Sequence, residues 1–139
     1  MKILELLTPR RLTGNYGERA AARYLSRHGY RILERNYVAP HAEIDLIAKT
    51  KDTVVFVEVK TRREGHGHPA EPRPASAVTR EKQQRLIQAA KSYIRHTKRE
   101  GRLRFDIVEV ILENTEKPKV KSITHLPSAF TGDTAYRHK

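Results

Sequence analysis

Apolar and polar residues alternate through the middle of the chain in two short runs separated by Lys51-Asp52. In Val54-Val55-Phe56-Val57-Glu58-Val59-Lys60, strand periodicity puts Val54, Phe56, Glu58 and Lys60 on one face and Val55, Val57 and Val59 on the other. Both faces begin apolar, the pattern of a central strand covered on both sides. The run before it, Glu43 to about Lys49, alternates Ile44, Leu46 and Ala48 against Glu43, Asp45 and Ile47. Lys51-Asp52 then predicts a tight turn and an antiparallel hairpin, which can bring Asp45 and Glu58 to one end of the same sheet. Tyr30 to about Val38 and Leu103 to Leu112 read as two further strands, and Val120 to Leu126 as a short edge strand.

Helical patterns lie on either side of the hairpin. The first is expected to begin near Thr13–Tyr16 and to stop at Gly29. Ala21, Ala22, Tyr24 and Leu25 share one arc, with Arg19, Arg23 and Arg27 opposite. Glu18 falls on the apolar arc, and first-turn placement, where an acid complements the helix dipole, is its simplest reading from geometry. The second helix runs from Thr79, as N-cap, to about Thr97–Arg99 and buries Leu86, Ala89, Ala90, Tyr93 and Ile94. Lys82 sits in its first turn at the edge of the apolar arc, so its stem points inward, either snorkelling along the core or reaching a phosphate. Residues 1–12 form a lead-in. Arg62 to Ser76, with two Gly, three Pro and no periodicity, reads as a mobile loop in which His66 and His68 are solvated rather than metal ligands. The pattern is that of one α/β domain over residues 1–126, its core at about 13–112, followed by a flexible basic tail at 127–139.

Composition narrows the partners. A chain of 139 residues suits one domain with a real core. Charged residues are 32% and the net charge is +12, so the surface must be basic and a polyanion is its natural partner, nucleic acid before an anionic membrane. Between Arg62 and Arg104 there are twelve Lys/Arg against four carboxylates, which places the basic excess after the Glu-x-Lys strand and suits tracking of a phosphate backbone. Arg62, Arg63, Lys82 and Arg85 are the candidate nucleic-acid contacts. The absence of cysteine excludes disulfides and Cys-based metal sites. Met1–Leu7 is too short and interrupted for a signal peptide, and no apolar run reaches the length of a membrane span. A soluble cytoplasmic protein is the expectation.

The chemistry lies in acids placed inside apolar strands, where burial is costly without a partner. Glu58 and Lys60 alone could be an ion pair at a fraying strand end. Asp45, in the middle of Ile44-Asp45-Leu46-Ile47, changes that reading. An Asp followed by Glu-x-Lys is the skeleton of a metal-dependent phosphodiesterase. Asp45 and Glu58 offer hard oxygens to Mg²⁺ or Mn²⁺, which would relieve their mutual repulsion. Lys60 could orient the attacking water or stabilise developing charge. Glu18 could complete a second metal position or a water network. Asp106 is a further acid in a strand, for which pairing with Arg104 or a neighbouring base is the expected role.

Six segments then carry a resemblance. They are Gly14-Asn15-Tyr16-Gly17-Glu18-Arg19-Ala20-Ala21, Gly29 to Tyr37, Glu43-Ile44-Asp45-Leu46-Ile47-Ala48, Val57-Glu58-Val59-Lys60-Thr61-Arg62, Lys82-Gln83 and Arg104-Phe105-Asp106. In this order, over about Gly14 to Val110, they resemble the bacterial YraN-like family. That resemblance implies a restriction-endonuclease-like PD-(D/E)XK fold, with a central mixed β-sheet flanked by helices and archaeal Holliday junction resolvases as relatives. It implies catalytic roles for Glu18, Asp45, Glu58 and Lys60, and raises Glu18 above the helix-dipole reading. The chain departs from the family pattern at Ala42, where Gly usually precedes Glu-Ile-Asp, and in a longer, Pro-rich loop at Glu64–Ser76. The leading expectation is a Mg²⁺- or Mn²⁺-dependent DNA endonuclease acting on branched or structured DNA, and a junction resolvase of this kind implies a homodimer. The alternative is a nucleic-acid-binding protein that keeps the nuclease scaffold without turnover. A ribosome- or RNA-associated factor, resting on charge alone, ranks last.

Overall fold

Two apolar faces on one strand require a cover on each side, and the computed structural model supplies one helix for each. It describes residues 9–65 and 78–131, with side chains from Asn15 onward. The elements are α1 (Pro9–Arg27), β1 (Arg31–Val38), β2 (Glu43–Thr50), β3 (Thr53–Arg63), α2 (Arg80–Thr97), β4 (Arg102–Leu112) and β5 (Val120–Phe130). The strands form one five-stranded sheet in the order β1-β2-β3-β4-β5. All neighbours are antiparallel except β3 and β4, which are parallel from Thr53↔Arg102 to Arg63↔Leu112. A parallel pair needs a long crossover, and the segment containing α2 provides it. The expected α/β class, a mixed central sheet flanked by helices, is what the chain adopts.

The β2–β3 hairpin closes as predicted, Thr50 pairing with Thr53 around Lys51-Asp52, with Lys51 at φ +52°. The start of β4 is tied to that turn. Arg102 N–H donates to Asp52 C=O at 2.8 Å. Gly101, at φ +120°, passes so close that a Cβ would stand 2.2 Å from the same oxygen, so only glycine fits.

Beneath α2 lie Ile44, Ile47, Val54, Phe56, Phe105 and Ile107, packed with Leu86, Ala89, Ala90 and Tyr93. Beneath α1 lie Leu46, Val55, Val57, Val108, Val110 and Leu112, packed with Ala20, Ala21, Ala22 and Leu25. The small residues of α1 allow a close approach. At Gly17 it is closest, and a Cβ there would lie 2.0 Å from Thr61 Oγ1. The buried arcs of both helices match the periodicity, and Thr79 caps α2 by accepting from Lys82 N–H at 3.1 Å.

Four expectations change. Helix α1 starts at Pro9, not near Thr13–Tyr16, because proline is suited to the first helical position, where its missing N–H costs nothing. Glu18 is therefore well inside the helix, and the helix-dipole reading fails. In β2 the regular alternation breaks at Asp45, since Ile44 and Ile47 pack under α2 while Leu46 packs under α1. Strand β5 continues through Pro127 to Phe130, four residues beyond Leu126. An edge strand tolerates Pro127 because its N–H need not pair. The loop expected from Arg62 starts later, because β3 stays paired with β4 through Arg63↔Leu112. Its residues 66–76, with His66 and His68, and the remainder of the predicted tail, residues 132–139, lie outside the described residues.

Candidate functional site

The break in β2 builds the site. The β2–β3 ladder runs from Thr50↔Thr53 to Leu46↔Val57 and stops. Continued by one step, its register would set Asp45 against Glu58, two acids side by side in a dry sheet, where like charges are destabilising. Instead the strands separate, and Asp45 Oδ2 accepts the Val59 N–H at 2.8 Å. A side chain thus takes the amide that a backbone carbonyl would otherwise hold, which satisfies the main chain of β3 where its neighbour leaves.

Glu58 is only 7% exposed and is matched by cations. Its Oε2 accepts from Lys82 Nζ at 2.7 Å and lies 3.5 Å from Lys60 Nζ. Thr79 fixes the first turn of α2, which aims Lys82 over the middle of β3, so its stem runs inward as predicted and its ammonium meets a carboxylate. Asp45 has no such cation in contact among the described residues. Burial foremost, then the charges of Glu58 and Glu18, push its carboxyl up to about 8, against the opposing pull of the Val59 N–H and Lys82. The other oxygens, Asp45 Oδ1 and Glu58 Oε1, accept no hydrogen bond from the described residues.

Glu18 approaches from α1. Its Oε1 accepts from Asn36 Nδ2 at 2.8 Å. Beside it a cleft of about 260 Å³ opens between α1 and β1, lined by Asn15, Glu18, Arg19, Arg35, Asn36 and Leu46. Arg19 and Arg35 are exposed and pair with no carboxylate among the described residues. Asn15, Arg19, Arg35 and Asn36 were not singled out as site residues from the sequence. The wheel put Arg19 on the outer side of α1, and nothing local marks β1 as a site element.

The structure thus brings Asp45, Glu58 and Lys60 to one end of the β2–β3 pair, with Lys82 over it and Glu18 within electrostatic reach of Asp45. Of the candidate nucleic-acid contacts, Arg62 is in contact with Glu109 and Arg63 Nη1 donates to Thr115 C=O at 3.2 Å. Arg85 is half exposed and 3.5 Å from Glu81. The donors suit a hard divalent cation in kind, two carboxylates each with an oxygen lacking a donor, one of them pushed up partly by its acidic neighbours. Among the described residues, no three His, Cys, Asp or Glu side chains are gathered as a ready-made metal cluster. Asp45 and Glu58 are the pair that could hold the ion, with Glu18 outside that pair.

Asp106 is separate. It is fully buried under α1 and accepts from Arg104 Nε at 2.9 Å and Nη2 at 2.8 Å, from Ser128 N–H at 3.0 Å, and bonds His125 Nε2 at 2.7 Å. Burial alone would raise its pKa, but the bonds from His125, Arg104 and Ser128 prevail and hold the carboxyl below its ordinary value. The expected pairing with Arg104 is present, and it belongs to the scaffold.

Fold and site together define a mixed α/β domain whose central strand presents a Glu-x-Lys pair to an aspartate from a splayed neighbouring strand. The chain belongs to the family described as "Uncharacterised protein family UPF0102", whose model matches residues 17–110, and the YraN-like resemblance holds at that level. It is 40% identical to a UPF0102 protein of Chlorobium phaeobacteroides over 88% of this chain and 95% of the relative. It is 43% identical to one from Caldanaerobacter subterraneus subsp. tengcongensis over 87% and 96%. A UPF0102 protein of Desulfosudis oleivorans is 45% identical over 76% and 83%. Among the described residues no helix is long and apolar enough to cross a membrane.

Proposed function

We propose that this protein is a Mg²⁺- or Mn²⁺-dependent endonuclease that hydrolyses phosphodiester bonds in DNA, with branched or structured DNA as its substrate class. The observation that carries the reading is the splaying of β2 from β3, which sets Asp45 beside Glu58-Val59-Lys60. A fold with no chemistry to do would gain from closing that ladder over apolar side chains. The restriction-endonuclease-like architecture that the family resemblance implies is consistent with the mixed sheet and its two covering helices.

Asp45 and Glu58 would hold the divalent ion, which when bound supplies Lewis acidity toward the phosphate and a lower pKa for an attached water. Lys60, on the same face as Glu58, offers N–H donors to the attacking water or to the oxygens that gain charge. Lys82 holds Glu58 in place and lies where its ammonium can meet the scissile phosphate. Arg19 and Arg35 along the cleft supply cations to the flanking backbone, and Glu18 orders water between the cleft and Asp45. A two-fold-symmetric junction would be cut by two such sites, so the active species is a homodimer.

The test is a panel of duplex, flap, single-stranded and four-way DNA incubated with Mg²⁺ or Mn²⁺. Wild-type protein is expected to cut at least one member, and Lys60→Ala to slow that by about 100-fold or more, with Glu58→Ala at least as severe. Identical product from both variants would assign the activity to a contaminant. Tight binding to the panel with no product under either cation would replace the reading with that of a non-catalytic nucleic-acid-binding protein.

A further inference from the structure

Asn36 is the one residue inside β1 with a left-handed backbone, at φ +49°. Its neighbours Arg35 and Tyr37 pair with Leu46 and Ile44, so it stands opposite Asp45, at the level where β2 changes its side-chain alternation. Two adjacent strands are thus irregular at the same rung. Such a conformation in a strand is unfavourable for most residues and least so, after glycine, for asparagine. Its side chain also has a specific partner, since Nδ2 donates to Glu18 Oε1 at 2.8 Å, and the residue lines the cleft beside that acid. Backbone strain concentrated at such a place is a recurrent feature of working sites.

We propose that Asn36 is a positioning residue, whose left-handed backbone and side-chain amide together fix the Glu18 carboxylate beside Asp45. The inference rests on the cation-dependent reading above and deepens it by giving the third acid a dedicated holder. Glu18 projects from a helix on a flexible stem. Without a donor on one oxygen its carboxylate would sample solvent, whereas the Asn36 amide holds Oε1 at 2.8 Å and so keeps the carboxylate where its charge is felt at Asp45. A glycine at position 36 would keep the backbone but not the amide, and an alanine would keep neither. These substitutions separate a positioning role from a purely conformational one.

The experiment measures Mn²⁺ affinity by calorimetry on the full chain, melting temperature without metal, and cleavage of the panel. The expected result is that Asn36→Gly melts close to wild type but binds Mn²⁺ about 10-fold more weakly and cuts correspondingly more slowly. Asn36→Asp, which sets a like charge against Glu18, should be worse. In a Glu18→Ala background, Asn36→Gly should add nothing, because the partner it positions is gone. Unchanged Mn²⁺ affinity in Asn36→Gly, with a wild type that binds and cuts, overturns the role of Asn36 and leaves the nuclease reading standing. So does an Asn36→Ala that melts lower yet binds Mn²⁺ normally. A wild type that neither takes up Mn²⁺ nor cuts overturns both.

Discussion

Asp45 is where the cost of the site is concentrated. Its carboxyl is pushed up to about 8 by burial first and by Glu58 and Glu18 next, whereas in the unfolded chain it titrates in the ordinary carboxylate range. Between those limits the folded protein binds more protons than the unfolded chain, so this group makes stability fall as pH rises through the window. Melting curves recorded with a chelator should therefore drop from about pH 5 toward pH 9, and Asp45→Asn should flatten that slope and melt about 5 °C higher at the alkaline end. Saturating Mn²⁺ should flatten the wild-type slope in the same direction. How much of this was legible differs by residue. Glu58 and Lys60 could be read from strand period two, because an acid on an otherwise apolar face is visible in one dimension. Helix geometry misplaces Glu18 because its reading depends on where α1 begins, and the signal that decides it, Pro9, lies before the segment whose periodicity is helical. Asn36 was invisible, because its left-handed backbone is set by what β2 does opposite.

Among the elements, the sheet carries two polar groups at one level, one on each face, since Asp106 of β4 pairs with Val57 beside Glu58. On the α2 side, β3 continues past Phe56 into Glu58, Lys60 and Arg62, the last paired with Glu109 of β4. On the α1 side, Asp106 of β4 gathers Arg104, His125 and the Ser128 N–H, and Arg104 Nη2 also donates to Tyr30 OH at 2.7 Å. That second group joins the residue before β1, the strand β4 and the second half of β5 across the α1 side. Asp106→Ala would strand Arg104 and leave a main-chain amide without its acceptor, and should cost about 3 kcal/mol, measurable by urea denaturation. The lowered pKa of Asp106 adds stability that is present above the ordinary carboxylate range and is lost as pH falls through the folded value. The bond from Ser128 N–H to Asp106 also explains why β5 outruns its predicted end. Apolar pattern weakens after Leu126, and pattern was all the sequence offered, but capture of Ser128 by a buried acid holds the strand through Phe130. The turn at Lys51-Asp52 and the arcs of both helices were legible because each depends on local spacing. The parity change in β2 was not, since it answers to a charge on the neighbouring strand.

Taken whole, the molecule carries a net charge of +12 and sets two carboxylates into the middle of its sheet, where β2 parts from β3. The two features act over different ranges. Surface charge draws a polyanion in and is screened by salt, whereas the acids act at contact and would repel the phosphate they meet unless a cation lies between. Binding of any DNA should therefore weaken linearly on a log–log plot against salt, with a slope of about −5 or steeper if six phosphates are neutralised. Glu58→Ala should leave that slope unaltered, and a fluorescence-anisotropy titration of both proteins checks it. One consequence follows from the way Asp45 holds the Val59 amide. An N–H bonded to a side chain can be released by a single rotation about χ1, with no unzipping of its neighbours. The centre of the sheet thus has a place that can breathe while the rest stays closed, and deuterium uptake at that one amide would register each arrival and departure in the gap.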